Sequence, residues 1–344
     1  MTTPRRSPRA TCALLVLALL ALVGCTASDG DWPVDHDLAV LCSNDAEICR
    51  AWTRTFSERT GYDVTTVRLP TSEALERIRH GEDLPEFDVW HGGGSEMYVE
   101  AADEGLLASY RSGESEGIPA AFQDTENRWS GVYSSMLAFC VAPQAVAELG
   151  TDIPHTWDDL LDPALKGQIS TASPRTSGTA YTAMSLQIDR LGADAGRGYL
   201  ADLYGQVLQF TRSGTAPAQV VARGEAAVAI TFAPYCDAAR ADGSQVDVVL
   251  PDDATEYEVG AVAVLADAPH PEAARDYLDF ALSADGQQAG ATSGIEQIPT
   301  RSDLPDNLAE ILADGSYPVI GASLTERSAR RDALLAWFSE EVER

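Results

Sequence analysis

Positive charge is what this sequence lacks. Its 344 residues carry 24 Lys and Arg against 53 Asp and Glu, a formal charge of −29. Nucleic acid and anionic membrane both recruit proteins through basic surfaces, so neither is the expected partner. Lys166 is the lone lysine; every other basic residue is arginine. Histidine is scarce as well, and the five at positions 36, 80, 91, 155 and 270 show no ligand spacing. None of the six cysteines forms a CxxC pair, which argues against a zinc site. The chain has no GxSxG elbow, no GxxxxGK[ST] phosphate loop and no HExxH helix, the signatures of common hydrolase, nucleotide and metalloprotease sites. Asp and Glu are abundant enough for a paired-carboxylate site, but nothing selects a pair.

Long apolar runs are also missing, apart from one near the N-terminus. Arg5, Arg6 and Arg9 precede an apolar stretch from Cys12 to Val23. That stretch is too short to cross a hydrocarbon layer of ~30 Å as a helix. A basic start, a short greasy core and a small residue before a cleavage point describe a secretory signal over residues 1–24. Its end, Leu22-Val23-Gly24-Cys25, resembles the lipobox of bacterial lipoproteins. Cys25 is therefore expected to carry lipid, palmitate included, and to begin the mature chain. Residues 25–36 read as a flexible tether. Losing three arginines with the signal moves the charge from −29 to −32. The expected location is the outer face of the cytoplasmic membrane.

Hydrophobic residues at 45% and charged residues at 22% describe a folded body rather than a disordered acidic tail. Its length exceeds what one core usually fills, so two lobes are expected. Cys42, Cys49, Cys140 and Cys236 remain after processing. In an exported chain four cysteines suggest two disulfides, with three pairings open.

Strand and helix signals alternate. Asp37 to Cys42 is a short apolar run closed by Ser43-Asn44-Asp45, a helix cap. Ile48, Trp52 and Phe56 recur at helical spacing, and Gly61 ends that helix. Val64–Leu69 reads as a strand, Ser72 as the cap of a helix carrying Leu75 and Ile78. Phe87–Trp90 is apolar and runs into Gly92-Gly93-Gly94-Ser95, which opens another helix. After Trp157 the alternation returns in 166–172, the helix following Ser177-Gly178-Thr179, and the runs 226–232, 246–250 and 259–265. Helices are expected over 271–282 and 324–342. Such alternation predicts an α/β fold with largely parallel sheets, whose ligands sit at the carboxyl ends of strands.

Read in order, LCSND (41–45), FDVWHGGGSEMYVEAADEGLL (87–107), RWSGVY (128–133), HTWDDLLDPALKGQI (155–169), SGTAYT (177–182), TRSGTAPAQVVARGEAAVAI (211–230) and YEVGAVAVLADAPHPEAARDYLDFALSADGQ (257–287) resemble an ABC-transporter solute-binding lipoprotein. The group includes ferric-ion, phosphonate and sugar-phosphate binders. The resemblance implies a two-lobed periplasmic-binding-protein-like fold of type II, each lobe a mostly parallel sheet flanked by helices, joined by two crossover hinge strands. It implies a first lobe over 37–135, a hinge and second lobe over 136–238, and a return to the first lobe over 239–290. The helical segment 291–344 is assigned to neither. Tyr133–Val141 would be the outward crossover and Thr231–Ala239 the return. Those strands lie side by side in the family, which favours the pairs Cys140–Cys236 and Cys42–Cys49. A monomer, a small-molecule solute, ABC permease partners and no cofactor are also implied.

Four small-residue turns then stand out as one cleft: Ser43-Asn44, Gly93-Gly94-Ser95, Ser177-Gly178-Thr179 and Ser213-Gly214-Thr215. Each opens a predicted helix, where unpaired backbone N–H groups and the positive dipole end favour an anion. Ser and Thr hydroxyls add donors, and glycine lets an oxygen approach the backbone. Taken singly each is an ordinary cap; their convergence suits a phosphate, a phosphonate or a phosphorylated sugar. Arg175 and Arg212 are the cationic candidates, though each is more often a solvated loop arginine. Tyr235 is a further contact, Glu258 either a hydroxyl acceptor or a strand-edge charge, and His91 a solute contact or, more often, a structural or exposed histidine. The family's iron binders place adjacent tyrosines on the return crossover, whereas this chain reads Phe232-Ala233-Pro234-Tyr235-Cys236. Its sugar-phosphate members often have His-Asp there, which Pro234-Tyr235 also replaces. Import of an anionic phosphorus-containing solute is the leading expectation, with ferric-ion binding the alternative. A signalling lipoprotein, or an enzyme on the same fold, ranks lower.

Overall fold

A computed structural model describes residues 37–81, 85–315 and 317–343. The expected signal, the lipidated Cys25 and the tether lie outside the described residues. From the first strand, β1 (Asp37–Cys42), α1 (Ala46–Thr60), β2 (Asp63–Arg68), α2 (Thr71–His80), β3 (Val89–Gly94) and α3 (Ser95–Asp103) alternate. The long β4 (Ser130–Val141) leads to α4 (Pro143–Leu149), β5 (Ile169–Ala172), α5 (Gly178–Leu191) and α6 (Ala193–Tyr204). There follow β6 (Val207–Thr211), α7 (Ala216–Ala222), β7 (Val228–Phe232), α8 (Ala233–Ala241) and β8 (Asp247–Val249). Then come β9 (Tyr257–Val264), α9 (Pro271–Leu282), α10 (Ala284–Ala289), β10 (Ile298–Pro299), α11 (Leu308–Asp314) and α12 (Leu324–Glu341).

The strands form an order β2-β1-β3-β9-β4-β7-β5-β6, with β8 and β10 also paired to β4. Parallel pairs occur at both ends, β1 with β2 and β3, and β5 with β6 and β7. The middle is antiparallel, because β4 meets β9, β7, β8 and β10 in that sense. The sheet is thus mixed, with parallel pairing confined to the flanks.

All twelve residues of β4 are buried, and β4 is where the two halves join. Residues 130–136 pair with β9 in the first half, while 137–141 pair with β7 in the second. The chain does not return through 231–239 as a strand. β7 closes at Phe232, and Pro234 sits in the first turn of α8, where its missing N–H costs nothing and its fixed φ starts a helix. The return runs instead from β8, still paired to 139–141, through residues 250–256 into β9. There the Leu137 N–H donates to the Glu256 carbonyl at 2.9 Å and the Thr255 hydroxyl to the Leu137 carbonyl at 2.8 Å. A third passage follows β10: Thr255 bridges Val319, and α12 lies beyond.

Each half has an aromatic core. In the first, Trp52 of α1 stacks on His91 at 3.8 Å and Phe56 meets Tyr277 edge-on at 5.0 Å. In the second, buried Trp157 meets Phe139 edge-on and donates its indole N–H to the Ala254 carbonyl at 2.8 Å. Cys42 is bonded to Cys49 and Cys140 to Cys236, the pairs the resemblance implied. The geometry behind the second differs from the one expected, since Cys140 lies on β4 and Cys236 on a helix, not on an adjacent strand.

Candidate functional site

The carboxyl ends of β1, β2, β5 and β6 point at one cleft between the halves. Its lining is Ser43, Asn44, Arg68, Pro70 and Thr71 from the first half, Ser177, Gly178, Thr179, Ser213, Gly214, Thr215 and Tyr235 from the second, and Glu258 beside the hinge. The space they enclose, mouth included, is about 320 Å³, at the small end for a ligand site. A wider groove between α2 and α12 is rimmed by long charged side chains, Arg79 and Arg175 among them, that are already paired with Glu104 and Glu343.

Ten sequence-selected residues meet here: Ser43, Asn44, Ser177, Gly178, Thr179, Ser213, Gly214, Thr215, Tyr235 and Glu258. Gly93, Gly94 and Ser95 lie behind this lining, with the Gly94 nitrogen 3.6 Å from where a Cβ on Gly178 would fall. The Gly93 N–H accepts no ligand role, because it donates to the Tyr133 hydroxyl at 2.9 Å, and the Ser95 hydroxyl donates to the Val259 carbonyl at 2.6 Å. Glycine there serves packing: a Cβ on Gly93 would fall 2.4 Å from a Thr71 methyl. His91 is no solute contact either. It is sealed under the cleft, its Nδ1 3.0 Å from the Tyr277 hydroxyl, and burial pushes its pKa down to about 3.

The cation is one the sequence reading passed over. Arg68 ends β2, and parallel pairing places it beside Cys42 at the end of β1. Its Nε donates to the Asn44 carbonyl at 2.8 Å and its Nη2 to the Ser213 hydroxyl at 2.6 Å, across the cleft. Arg175 and Arg212 are spent elsewhere, the first on Glu343 and the second in a bidentate pair with Glu73 at 2.6 Å. The signal for Arg68 was its place at a strand's carboxyl end, where ligands of such sheets bind. Pro70 and Thr71 follow it, and α2 opens at Thr71 rather than after Ser72.

Around Arg68 the groups are neutral donors. Ser213 and Thr215 hydroxyls lie 3.0 Å apart, and Ser177 caps α5 by accepting from the Ala180 N–H at 3.4 Å. That leaves the first N–H groups of a 14-residue helix at the positive end of its dipole. Tyr235, in the first turn of α8, donates to Asn44 Oδ1 at 3.1 Å, a second link across the halves. Both disulfides brace that link, since Cys42 and Cys236 stand beside the residues making it.

The far end of the cleft is acidic. A Cβ on Gly178 would lie 2.9 Å from Glu258 Oε2 and 3.4 Å from Thr71 Oγ1, so a larger side chain would press on Glu258 where the halves meet. Glu258 is buried and its Oε2 has no hydrogen-bond partner. Burial first, and the Glu96 charge second, push its carboxyl well above the usual carboxylate range against the pull of Arg327. Its neighbour Glu256 is pushed by burial to about 7. A neutral carboxyl both donates and accepts, which suits a hydroxylated ligand. Burial also raises the Tyr235 phenol, with Glu258 adding to it. Among the described residues no three His, Cys, Asp or Glu side chains are grouped to hold a metal ion.

Two half-sheets around a hinge, with a polar cleft between them, define a binding protein that encloses a small molecule. The sequence model described as "Bacterial extracellular solute-binding protein" matches residues 38–296, and the chain belongs to that family. An uncharacterized protein of Haemophilus influenzae is 32% identical over 322 residues, spanning 89% of this chain and 90% of that one. Among solved structures, the periplasmic binding protein AfuA from Actinobacillus pleuropneumoniae, with exogenous fructose-6-phosphate bound, is 30% identical. It superimposes with a TM-score of 0.83 over 89% of this chain and 98% of its own. The periplasmic binding protein P5PA is 29% identical, with a TM-score of 0.82 over 89% and 99%. Iron-bound HitA from Pseudomonas aeruginosa shares the fold at 20% identity and a TM-score of 0.74, over 87% and 98%. The fold is that of type II periplasmic binding proteins. Membership implies an extracytoplasmic receptor with a small-molecule ligand and ABC permease partners.

Proposed function

We propose that this protein is the solute receptor of an ABC importer and captures a small phosphorylated solute, a sugar phosphate above other phosphorus-containing anions. It is a carrier, not an enzyme. Lipid on Cys25 tethers it as a monomer outside the cytoplasmic membrane, and the two halves close on the solute before docking on the permease. The observation that carries this reading is the cleft's donor set. One guanidinium, Arg68, stands among hydroxyls and a helix N-terminus at one end, and Glu258, whose carboxyl burial pushes well above the usual range, stands at the other. Phosphoryl oxygens match the first group by charge-assisted hydrogen bonds, and sugar hydroxyls match the second. Ligation from both halves is what lets a solute favour the closed form. The fructose-6-phosphate in AfuA supports the same class.

Ferric ion is the weaker reading. A hard trivalent cation needs phenolates and carboxylates, whereas the cleft offers one tyrosine whose phenol burial holds protonated. A thermal-shift panel of fructose 6-phosphate, methylphosphonate, inorganic phosphate and ferric citrate tests the choice. A ligand at 100 times its Kd adds about 2.7 kcal/mol, an easily read rise in Tm. A shift with the sugar phosphate is expected; a shift with ferric citrate alone, accompanied by a visible phenolate band, would overturn the proposal.

A further inference from the structure

The C-terminal helix α12 touches both halves, and its two sides do so by different chemistry. One side is apolar and belongs to the second half: Leu334 and Phe338 pack with Tyr181, Met184, Leu200 and Tyr204. Arg330 extends that attachment, donating to both Asp189 carboxylate oxygens at 2.6 Å, and the Tyr181 hydroxyl donates to the Arg327 carbonyl. The other side lies along α3 of the first half, where Leu324 joins the apolar packing, and carries two arginines one turn apart, aimed at that half and the hinge. Arg331 donates through Nη2 to the Ser72 hydroxyl of α2 at 2.8 Å, and its Nη1 lies 3.5 Å from a Glu100 oxygen of α3. Arg327 Nη1 lies 3.4 Å from Glu256 at the hinge. Both are nearly sealed from solvent, 4% and 6% exposed.

A buried guanidinium is tolerated only while its partners are in place. The partners of Arg331 sit on the opposite half, and the Ser72 N–H itself donates across the cleft to the Thr176 carbonyl at 3.4 Å. We propose that α12 is a latch: it travels with the second half and engages the first only when the halves are together. Arg331 then sets the open–closed balance, and through it the affinity for solute, from outside the ligand cleft. Apparent affinity scales with the fraction of protein in the competent form. The inference rests on the reading of this chain as a receptor that closes on its solute.

The test uses the full chain with Arg331→Met, which keeps the packing stem and removes the charge, and with the facing double variant Ser72→Ala, Glu100→Gln. Small-angle X-ray scattering of the ligand-free proteins reads the open–closed balance, and calorimetric titration with fructose 6-phosphate reads affinity. Both variants are expected to show a larger radius of gyration and a Kd raised about tenfold. Combining them is expected to add little, and Arg331→Lys to fall between wild type and Arg331→Met. Unchanged scattering and affinity in the variants, or fully additive losses, would overturn the latch. Should Arg331→Met fail to fold, the facing variant decides. Should fructose 6-phosphate not bind wild type, the scattering arm still judges the latch while the proposed function fails separately.

Discussion

Arg68→Gln is the substitution that probes the cleft most sharply. Among the lining residues Arg68 is the one cation, and it spans the cleft by donating to Asn44 on its own half and to Ser213 on the other. Two of its nitrogens, Nε and Nη2, are so committed, and Nη1 makes no hydrogen bond among the described residues. Gln keeps part of the length and one amide, but removes the charge and the fork that matches a phosphoryl group. A hydrogen bond to a charged group contributes about 1.5–3 kcal/mol, so affinity for a phosphorylated ligand should fall roughly ten- to hundredfold. The side chain is only partly buried, so the melting temperature of the unliganded protein should barely move. Calorimetric titration of wild type and variant with fructose 6-phosphate measures the loss. A Kd within threefold of wild type, with the fold intact, would refute the role given to this guanidinium.

The other expectations concern the seam, the disulfides and pH. Gly178→Val should weaken binding at least tenfold while leaving the ligand-free protein folded, because its side chain would strike Glu258 and Thr71 as the halves meet; titration of the variant tests it. Removing Cys140–Cys236, which closes 96 residues of chain, should cost more than removing Cys42–Cys49, which closes 7. Chain entropy puts the two at about 4.7 and about 2.4 kcal/mol as upper estimates, readable from urea melts of C140A/C236A and C42A/C49A. Burial raises the Glu256 carboxyl from its ordinary value of 4.5 to about 7 in the folded state. The folded state therefore holds its proton more tightly, and the stabilisation this gives is present at low pH and lost as pH rises through about 7. Relative to wild type, Glu256→Gln should gain stability steadily between about pH 5 and pH 7.5, by up to ~3 kcal/mol. A difference in Tm that stays flat over that range would contradict the assignment.

Much of this molecule could be read from local pattern. The periodicity of Ile48, Trp52 and Phe56 marks α1, and Asp45 and Gly61 cap it as caps should. The small-residue turns at 43, 177 and 213 reach one cleft because each follows a strand whose carboxyl end faces it. What stayed hidden depended on register and on distant partners. Nothing near Arg68 says that it will sit beside Cys42, since only the pairing of β1 with β2 puts it there. Gly93 and Ser95 carry the same local signature as the true lining, yet Tyr133 and Val259, far along the chain, claim their polar atoms. The run at 231–239 is apolar enough for a strand, but Pro234 starts a helix there that delivers Tyr235. The role of α12 was illegible because its partners, Ser72, Glu100 and Asp189, are scattered over both halves.

The −29 of the whole chain cannot itself attract an anion, so a phosphorylated solute must be held locally. The phosphorus nucleus of such a solute tests this most directly. Fructose 6-phosphate titrated with the full chain, in the presence of a chelator, should show its ³¹P resonance shift and broaden with wild type and stay unmoved with Arg68→Gln. Binding detected by calorimetry with no change at phosphorus, or an equal change with both proteins, would contradict a cleft built around Arg68 for a phosphoryl group.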